Sequence, residues 1–241
     1  MAERLDAFLS RAGFGSRRDA KALIKAGRVM VNGINVKDPG VSVSSGVSVD
    51  SKPVEPAPDG LWVILNKPIG IACSHDPTEA PLLDELLPPV FRRLGAEPAG
   101  RLDRDTSGLL VITSDGALIQ RLTHPKRHVT KRYQVVFEGT LAEDAVDRFK
   151  NGILLDGEDE ITRPARIEVE SGVGQSQHAT IWLREGRYHQ VRRMLAAVGG
   201  KVVALHRDRV GAFDLPSDLR PGEFRDLSEK EIELLLSDEA T

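Results

Sequence analysis

Apolar residues at Leu5, Phe8, Leu9 and Ala12 share one face of a helix over Arg4 to Ala12, and Gly13 ends it. Ser16 with Asp19 three residues on has the spacing of a capping box. It opens a second helix that turns Ala20, Leu23 and Ile24 inward and Arg17, Arg18, Lys21 and Lys25 outward, up to Gly27. Val29-Met30-Val31, Asn32-Gly33 and Ile34-Asn35-Val36 then read as strand, tight turn and strand, because Asn-Gly accepts the positive φ angles that a two-residue hairpin loop needs. Pro53, Pro56 and Pro58, followed by Asp59-Gly60, interrupt every regular pattern and predict a linker. The predicted division is residues 1–60 and 61–241.

Beyond the linker, Leu61 to Leu65 has the unbroken apolar character of a buried strand, and Leu82 to Leu87 reads as a short helix stopped by Pro88-Pro89. Leu109 to Thr113 is a second buried-type strand, and Ser114-Asp115-Gly116 starts a helix to Leu122. A strand at Lys131 to Phe137, a helix at Leu141 to Lys150, strands at Arg166 to Glu170 and Ala179 to Leu183, a helix from His189 to Val198 and a strand at Val202 to Leu205 follow. Strands and helices alternate irregularly and the glycine signatures of parallel sheets are missing. The predicted class is α+β, with a mixed, mainly antiparallel sheet flanked by helices.

With 241 residues, 40% of them hydrophobic, the chain can bury a sizeable core. Its charged start, Met1 to Asp6, and the lack of any membrane-length apolar run predict a cytoplasmic protein with no membrane partner. A single cysteine, Cys73, excludes an internal disulfide or a multi-cysteine zinc site and reads as a small buried thiol. The net charge of −3 hides a strong asymmetry. Residues 1–52, 121–132 and 184–209 are basic, whereas acid collects at 143–170 and after Asp214. Three basic stretches set against acidic ones describe an oriented surface for phosphate backbones.

Chemistry concentrates in Gly100-Arg101-Leu102-Asp103-Arg104-Asp105-Thr106-Ser107-Gly108, where glycines bracket two carboxylates, two arginines and two hydroxyls. Asp103, ionised beside guanidinium groups, is a candidate nucleophile or base; the alternative is a polar turn closed by its Asp and Thr. The only two tyrosines, Tyr133 and Tyr188, fall in two further polar stretches, Lys131 to Tyr133 and Glu185 to Met194. Competing motifs are weak. Asp103-Arg104-Asp105 as a metal clamp lacks a preceding sugar-nucleotide domain, His124 and His128 are separated by Pro125 with no acidic neighbour, and Gly172-Val173-Gly174 lacks the third glycine of a dinucleotide loop. No metal and no cofactor is expected.

Arg4-Leu5-Asp6, Ser16-Arg17-Arg18, Gly27-Arg28-Val29 and Val31-Asn32-Gly33 resemble, in order and spacing, the S4-type RNA-binding domain. That resemblance implies that Arg17, Arg18, Lys21, Lys25 and Arg28 meet structured RNA. Gly-Arg-Leu-Asp at 100–103, Thr-Ser-Gly at 106–108, Leu65-Asn66-Lys67-Pro68, Lys131-x-Tyr133, Gly186-Arg187-Tyr188-His189-Gln190-Val191, Leu205-His206-Arg207 and Pro221-Gly222-Glu223 resemble the small-subunit type of pseudouridine synthase, which carries an S4 domain ahead of the catalytic domain. The resemblance implies that Asp103 is the catalytic carboxylate, Tyr133 the active-site tyrosine, and Arg192 the basic residue paired with Asp103. Asp105 is expected only to bond its own turn.

The chemistry suits these residue types. Turning uridine into pseudouridine breaks the bond from ribose to N1 and remakes it through C5. A carboxylate can add to the anomeric carbon or stabilise its positive charge, and a tyrosine can cover the base. The uridine must be flipped out of its stack, with Lys67, Arg101, Arg187 and Arg207 as expected backbone contacts. The implied substrate is one uridine of 16S ribosomal RNA, free or in a small-subunit assembly particle, and the enzyme is expected to be a monomer. The alternatives are the same reaction on 23S ribosomal RNA, or a non-catalytic RNA-binding assembly factor.

Overall fold

The computed structural model describes residues 2–55, 60–124, 127, 129–170 and 176–238. The chain forms two compact units, Met1–Leu61 with Leu87–Glu97, and Trp62–Leu86 with Pro98–Thr241. Pro56 and Pro58, expected in the linker, lie outside the described residues.

In the first unit, β1 (Glu3–Arg4), α1 (Leu5–Arg11) and α2 (Arg17–Lys25) precede β2 (Val29–Val31), β3 (Ile34–Asn35), β4 (Ser42–Val43), β5 (Val47–Val49) and β6 (Lys52–Val54). Ser16 and Asp19 form the expected capping box. Leu5, Phe8, Leu9, Ala20 and Ile24 make one core with Val29, Val43, Val47 and Val49. Asn32 and Gly33 take φ of 51° and 77°, which sets Val31 opposite Ile34 in the hairpin. The sheet β3-β2-β5-β6 and the pair β1-β4 are built largely from strands of two or three residues, too short for an alternating pattern to register.

The chain continues as β7 (Trp62–Lys67), α3 (Leu83–Leu86), α4 (Pro89–Arg93), β8 (Glu97–Pro98), β9 (Thr106–Thr113), α5 (Gly116–Thr123), β10 (Lys131–Gly139), α6 (Ala145–Asn151), β11 (Arg166–Glu170), β12 (Ser176–Leu183), α7 (Gln190–Ala197), β13 (Gly200–Val210), β14 (Phe213–Asp214), β15 (Phe224–Asp226) and α8 (Glu229–Leu236). Helix α4 belongs to the first unit. Pro89, expected to stop a helix, opens α4, where its missing N–H costs nothing.

The large sheet runs β11-β12-β10-β13-β9-β7-β15. Its β13–β9 contact is parallel and the others along this order are antiparallel, so the sheet is mixed and the fold α+β. Val63–Leu65 and Leu109–Ile112 are buried throughout, as unbroken apolar strands flanked by other strands in a covered sheet should be. Helices α5 and α8 pack Leu118, Leu122 and Leu235 against Ile64, Leu109 and Val111.

Strand β13 extends past the apolar Val202–Leu205 through His206, Arg207, Asp208 and Arg209. Arg132 and Arg209 stand opposite each other across β10 and β13, a repulsive pairing in isolation. Asp208 lies 2.9 Å from Arg132, and Asp214 lies 2.9 Å from Arg132 and 2.6 Å from Arg209. The ion pairs carry the strand where apolar pattern gives out.

Candidate active site

The loop before β9 is fastened at both ends. Leu102 is buried, Gly100 takes φ of 86°, and the Thr106 amide donates to Asp103 O at 3.0 Å. Thr-Ser-Gly then meets Leu-His-Arg across the parallel pairing Thr106–Leu205, Ser107–His206 and Gly108–Arg207. Ser107 Oγ and His206 Nδ1 share a hydrogen bond of 2.9 Å, and burial, opposed by Asp208, lowers the pKa of that imidazole. Gly108 has φ of 109°, and a Cβ there would sit 2.2 Å from the Arg207 carbonyl oxygen; only glycine lets these strands close.

Asn66 and Lys67 brace the loop from β7. Asn66 accepts from the Gly222 amide through its carbonyl and donates through its side chain to Leu219 O, so Pro221-Gly222-Glu223 is the far half of one backbone clasp. Lys67 is fully buried, and its Nζ donates to Thr106 O at 2.7 Å and Pro68 O at 3.0 Å. Burial lowers its pKa, while Cys73, Asp103 and Asp105 favour the charged form and Arg207 opposes it. The segment is also tied to the loop through the Gly70 amide on Arg104 O and Arg104 Nε on Gly70 O.

A second loop faces the first. Gln190 accepts from the Arg187 amide at 2.8 Å and donates to Glu185 at 2.7 Å, and Arg187 binds Glu158, Glu160 O and Ile161 O. Glu158 also pairs with Arg193, and both guanidinium groups lower its pKa. His189 is the N-cap of α7, in the left-handed region at φ 49°, and not its first helical residue. Its ring stacks on Tyr188 with centroids 3.9 Å apart, and its Nε2 lies 3.6 Å from Asp103 Oδ1.

Between the two loops and the faces of β10 and β13 is a cavity of about 740 Å³. Asp103, Tyr133, Arg101, Lys131, His189 and Arg207 are among its lining residues. Tyr133 is 8% exposed and stands opposite Arg207 in the sheet. Arg101 is exposed at the cavity and has no ion-pair partner among the described residues.

Several expected roles change. The sequence places Arg192 on Asp103, but its Nη2 lies 2.8 Å from Asp105 Oδ2 and donates to Asp105 O at 3.3 Å, while the N-cap residue His189 takes the place beside Asp103. Asp105 therefore bonds Arg192, where only local turn bonding was expected. Lys67 cannot meet an RNA backbone, being fully buried under Thr106 O. Arg187 is spent on Glu158 and two carbonyls, and Arg207, 3% exposed, lines the cavity and could meet RNA only from within it. Lys131 and His189 entered the sequence reading only as parts of motifs. For Lys131 a signal existed: in a strand, positions 131 and 133 share a face.

In the first unit Arg18 and Lys25 are exposed. Arg17 and Lys21, about half exposed, lie 3.1 and 3.6 Å from Asp6, and Arg28 pairs with Asp50. Asp6 is buried, which raises its pKa, but hydrogen bonds from Arg4 and Arg17 prevail and hold it at about 2. Of the competing metal motif, His128 lies outside the described residues, and among those described no group of three or more His, Cys, Asp or Glu could hold a metal ion. No helix among them is long and apolar enough to cross a membrane.

The family described as RNA pseudouridylate synthase matches residues 61–197, and the S4 domain matches residues 3–49. Ribosomal small subunit pseudouridine synthase A of Escherichia coli (strain K12) is 40% identical over 235 residues, covering 95% of this chain and 98% of its own. A Bacillus subtilis (strain 168) protein named as an uncharacterized RNA pseudouridine synthase is 37% identical over 235 residues, covering 96% of this chain and 98% of its own. A solved structure described as the crystal structure of pseudouridylate synthase matches with a TM-score of 0.66 at 36% identity, covering 97% of this chain and 99% of its own.

Proposed function

The chain belongs to the RNA pseudouridylate synthase family, and on that premise we propose that it converts one uridine of 16S ribosomal RNA to pseudouridine with Asp103 as nucleophile. The observation that carries the reading is the cavity that Asp103 shares with Tyr133, at the end of a rigid strand and large enough for a flipped nucleotide. In this reading the Asp103 carboxylate adds to the anomeric carbon, or stabilises the positive charge there, as the bond to N1 breaks and its electron pair passes to the uracil. The base turns, C5 bonds to the anomeric carbon as any bond from the Asp103 oxygen breaks and returns its electron pair to the carboxylate, and the C5 proton is lost to solvent while N1 takes one up. Tyr133 covers a face of the base and His189 steadies the carboxylate. Arg192 acts as a positioning residue, holding the loop through Asp105.

The small-subunit target is supported by the 40% identity to a relative named for small-subunit RNA. Arg18 and Lys25 supply exposed cations for the phosphate backbone, and Arg101 supplies one at the cavity. The same reading has a cytoplasmic monomer acting on ribosomal RNA, free or in an assembly particle. Carbodiimide mapping of ribosomal and transfer RNA with and without the gene tests it. One pseudouridine missing from 16S RNA is expected; a loss in 23S or transfer RNA refutes the target, and no loss anywhere refutes the reaction.

A further inference from the structure

We propose that Lys131 and Arg207 form a phosphate subsite inside the cavity, which takes a phosphodiester of the RNA strand beside the uridine. This rests on the reading that RNA is the substrate.

Lys131 on β10 and Arg207 on β13 lie on neighbouring strands, Lys131 two residues before Tyr133 and Arg207 opposite it, and both line the same cavity. Arg207 is 3% exposed. Its Nε donates to Leu109 O at 2.9 Å, and Lys131 Nζ donates to Val129 O at 3.1 Å. One carbonyl each leaves most of the donors of an ammonium and a guanidinium unused. Arg207 is buried and Lys131 partly buried, and although Asp103 lines the same cavity, where it faces His189, no carboxylate among the described residues pairs with either. Buried cations are ordinarily paired, so two left without a countercharge describe a site for an anion.

Burial and the neighbouring Arg207 push the Lys131 pKa down to about 8 against the pull of Asp238, as expected for an ammonium short of a countercharge. Both cations are standing charges. A phosphodiester is charged throughout the reaction and matches them in every state, whereas the uracil is neutral until its bond to ribose breaks. A fork-shaped guanidinium beside a point-charge ammonium also suits the oxygens of a phosphate. Because the subsite lies beside Tyr133 and not on an outer face, it holds a strand only when the nucleotide has entered the cavity.

The test uses full-length protein at constant ionic strength. Inorganic phosphate should raise the wild-type Tm saturably and leave that of Lys131→Met unchanged, and Lys131→Met alone should melt at or above wild type because it removes an unpaired, partly buried charge. On transcribed 16S RNA, Lys131→Met should weaken binding about tenfold and reduce the salt slope by about one, with Lys131→Arg restoring both. If Lys131→Met does not fold, Lys131→Gln serves the same comparison. Equal phosphate responses in wild type and variant overturn the subsite. A lost phosphate response with unchanged RNA affinity and slope overturns the RNA assignment in favour of a free phosphate ligand. A fall in kcat alone, with affinity intact, overturns it in favour of transient charge on the detached uracil. Binding needs no turnover, so wild-type protein that binds RNA without making pseudouridine refutes the proposed reaction separately.

Discussion

Arg192 Nη2 lies 2.8 Å from Asp105 Oδ2, which ties the first turn of α7 to the loop that carries Asp103. The pair spans two segments far apart in sequence. Its Nε is buried without a hydrogen-bond partner in the described structure, as is Thr106 Oγ1, so the carboxylate and carbonyl of Asp105 are what hold this guanidinium in place. Asp105→Asn should therefore lower kcat by about 10- to 100-fold with KM little changed, through a misplaced loop. Single-turnover kinetics on 16S RNA check this; wild-type kcat in the variant would return Asp105 to a local turn role.

Asp103→Asn should leave the thermal melt and RNA affinity close to wild type and bring pseudouridine formation below detection. The amide keeps the shape of the carboxylate and loses its nucleophilicity. Melting, RNA binding and carbodiimide mapping on the same preparation provide the comparison. Product at a wild-type rate would exclude Asp103 as the nucleophile.

Gly108→Ala should destabilise the second unit by about 2–4 kcal/mol, since the new Cβ meets the Arg207 carbonyl at 2.2 Å in a backbone region that alanine avoids. Urea unfolding followed by tryptophan fluorescence reports on this unit, because Trp62 and Trp182 both lie in it. A change below about 0.5 kcal/mol, the range of an ordinary surface substitution, would contradict the close approach.

Acid should open the first unit in a defined window. Asp6 has a folded pKa of about 2 against the ordinary 3.8 of an aspartate, so its stabilisation is complete above that value and is lost as pH falls through about 2. The effect is at most about 2 kcal/mol, and less once water screens the half-exposed arginines. Hydrogen exchange of residues 5–25 between pH 5 and pH 2 measures it. Asp6→Asn should exchange faster at pH 5 and lose the acid dependence; protection that is flat with pH in wild type would remove the basis of the prediction.

Arg18→Glu and Lys25→Glu should each weaken RNA binding and reduce the salt slope by about one, uniformly across RNA sequences. Both side chains are exposed, so the melt should not move. An unchanged slope in the double variant would place the RNA elsewhere than on α2.

Legibility of the fold followed how local each cause is. The capping box at Ser16 and the turn at Asn32-Gly33 act within four residues, and the sequence pattern finds them. The tail held the same kind of signal: Ser228 and Glu231 form a capping box ahead of α8, but apolar Ile232 and Leu235 among acidic neighbours masked it. The polar end of β13 was invisible because what stabilises it, Asp208 and Asp214 between Arg132 and Arg209, comes from three separate strands.

The sequence by itself determined most of the longer elements, the two family resemblances and the stretch around Asp103, because apolar period, turn residues and a dense cluster of charges are written locally along the chain. Only the tertiary structure decided which charge meets which. Lys67, Arg187 and Arg207 look like equivalent surface cations in sequence, yet one is buried under Thr106 O, one is a clamp on Glu158, and one is a cavity wall beside Tyr133. The partner of Arg192 was decided the same way. Pairing of charges depends on distances between strands and helices remote in the chain, and residue spacing cannot choose between two carboxylates as close in sequence as Asp103 and Asp105.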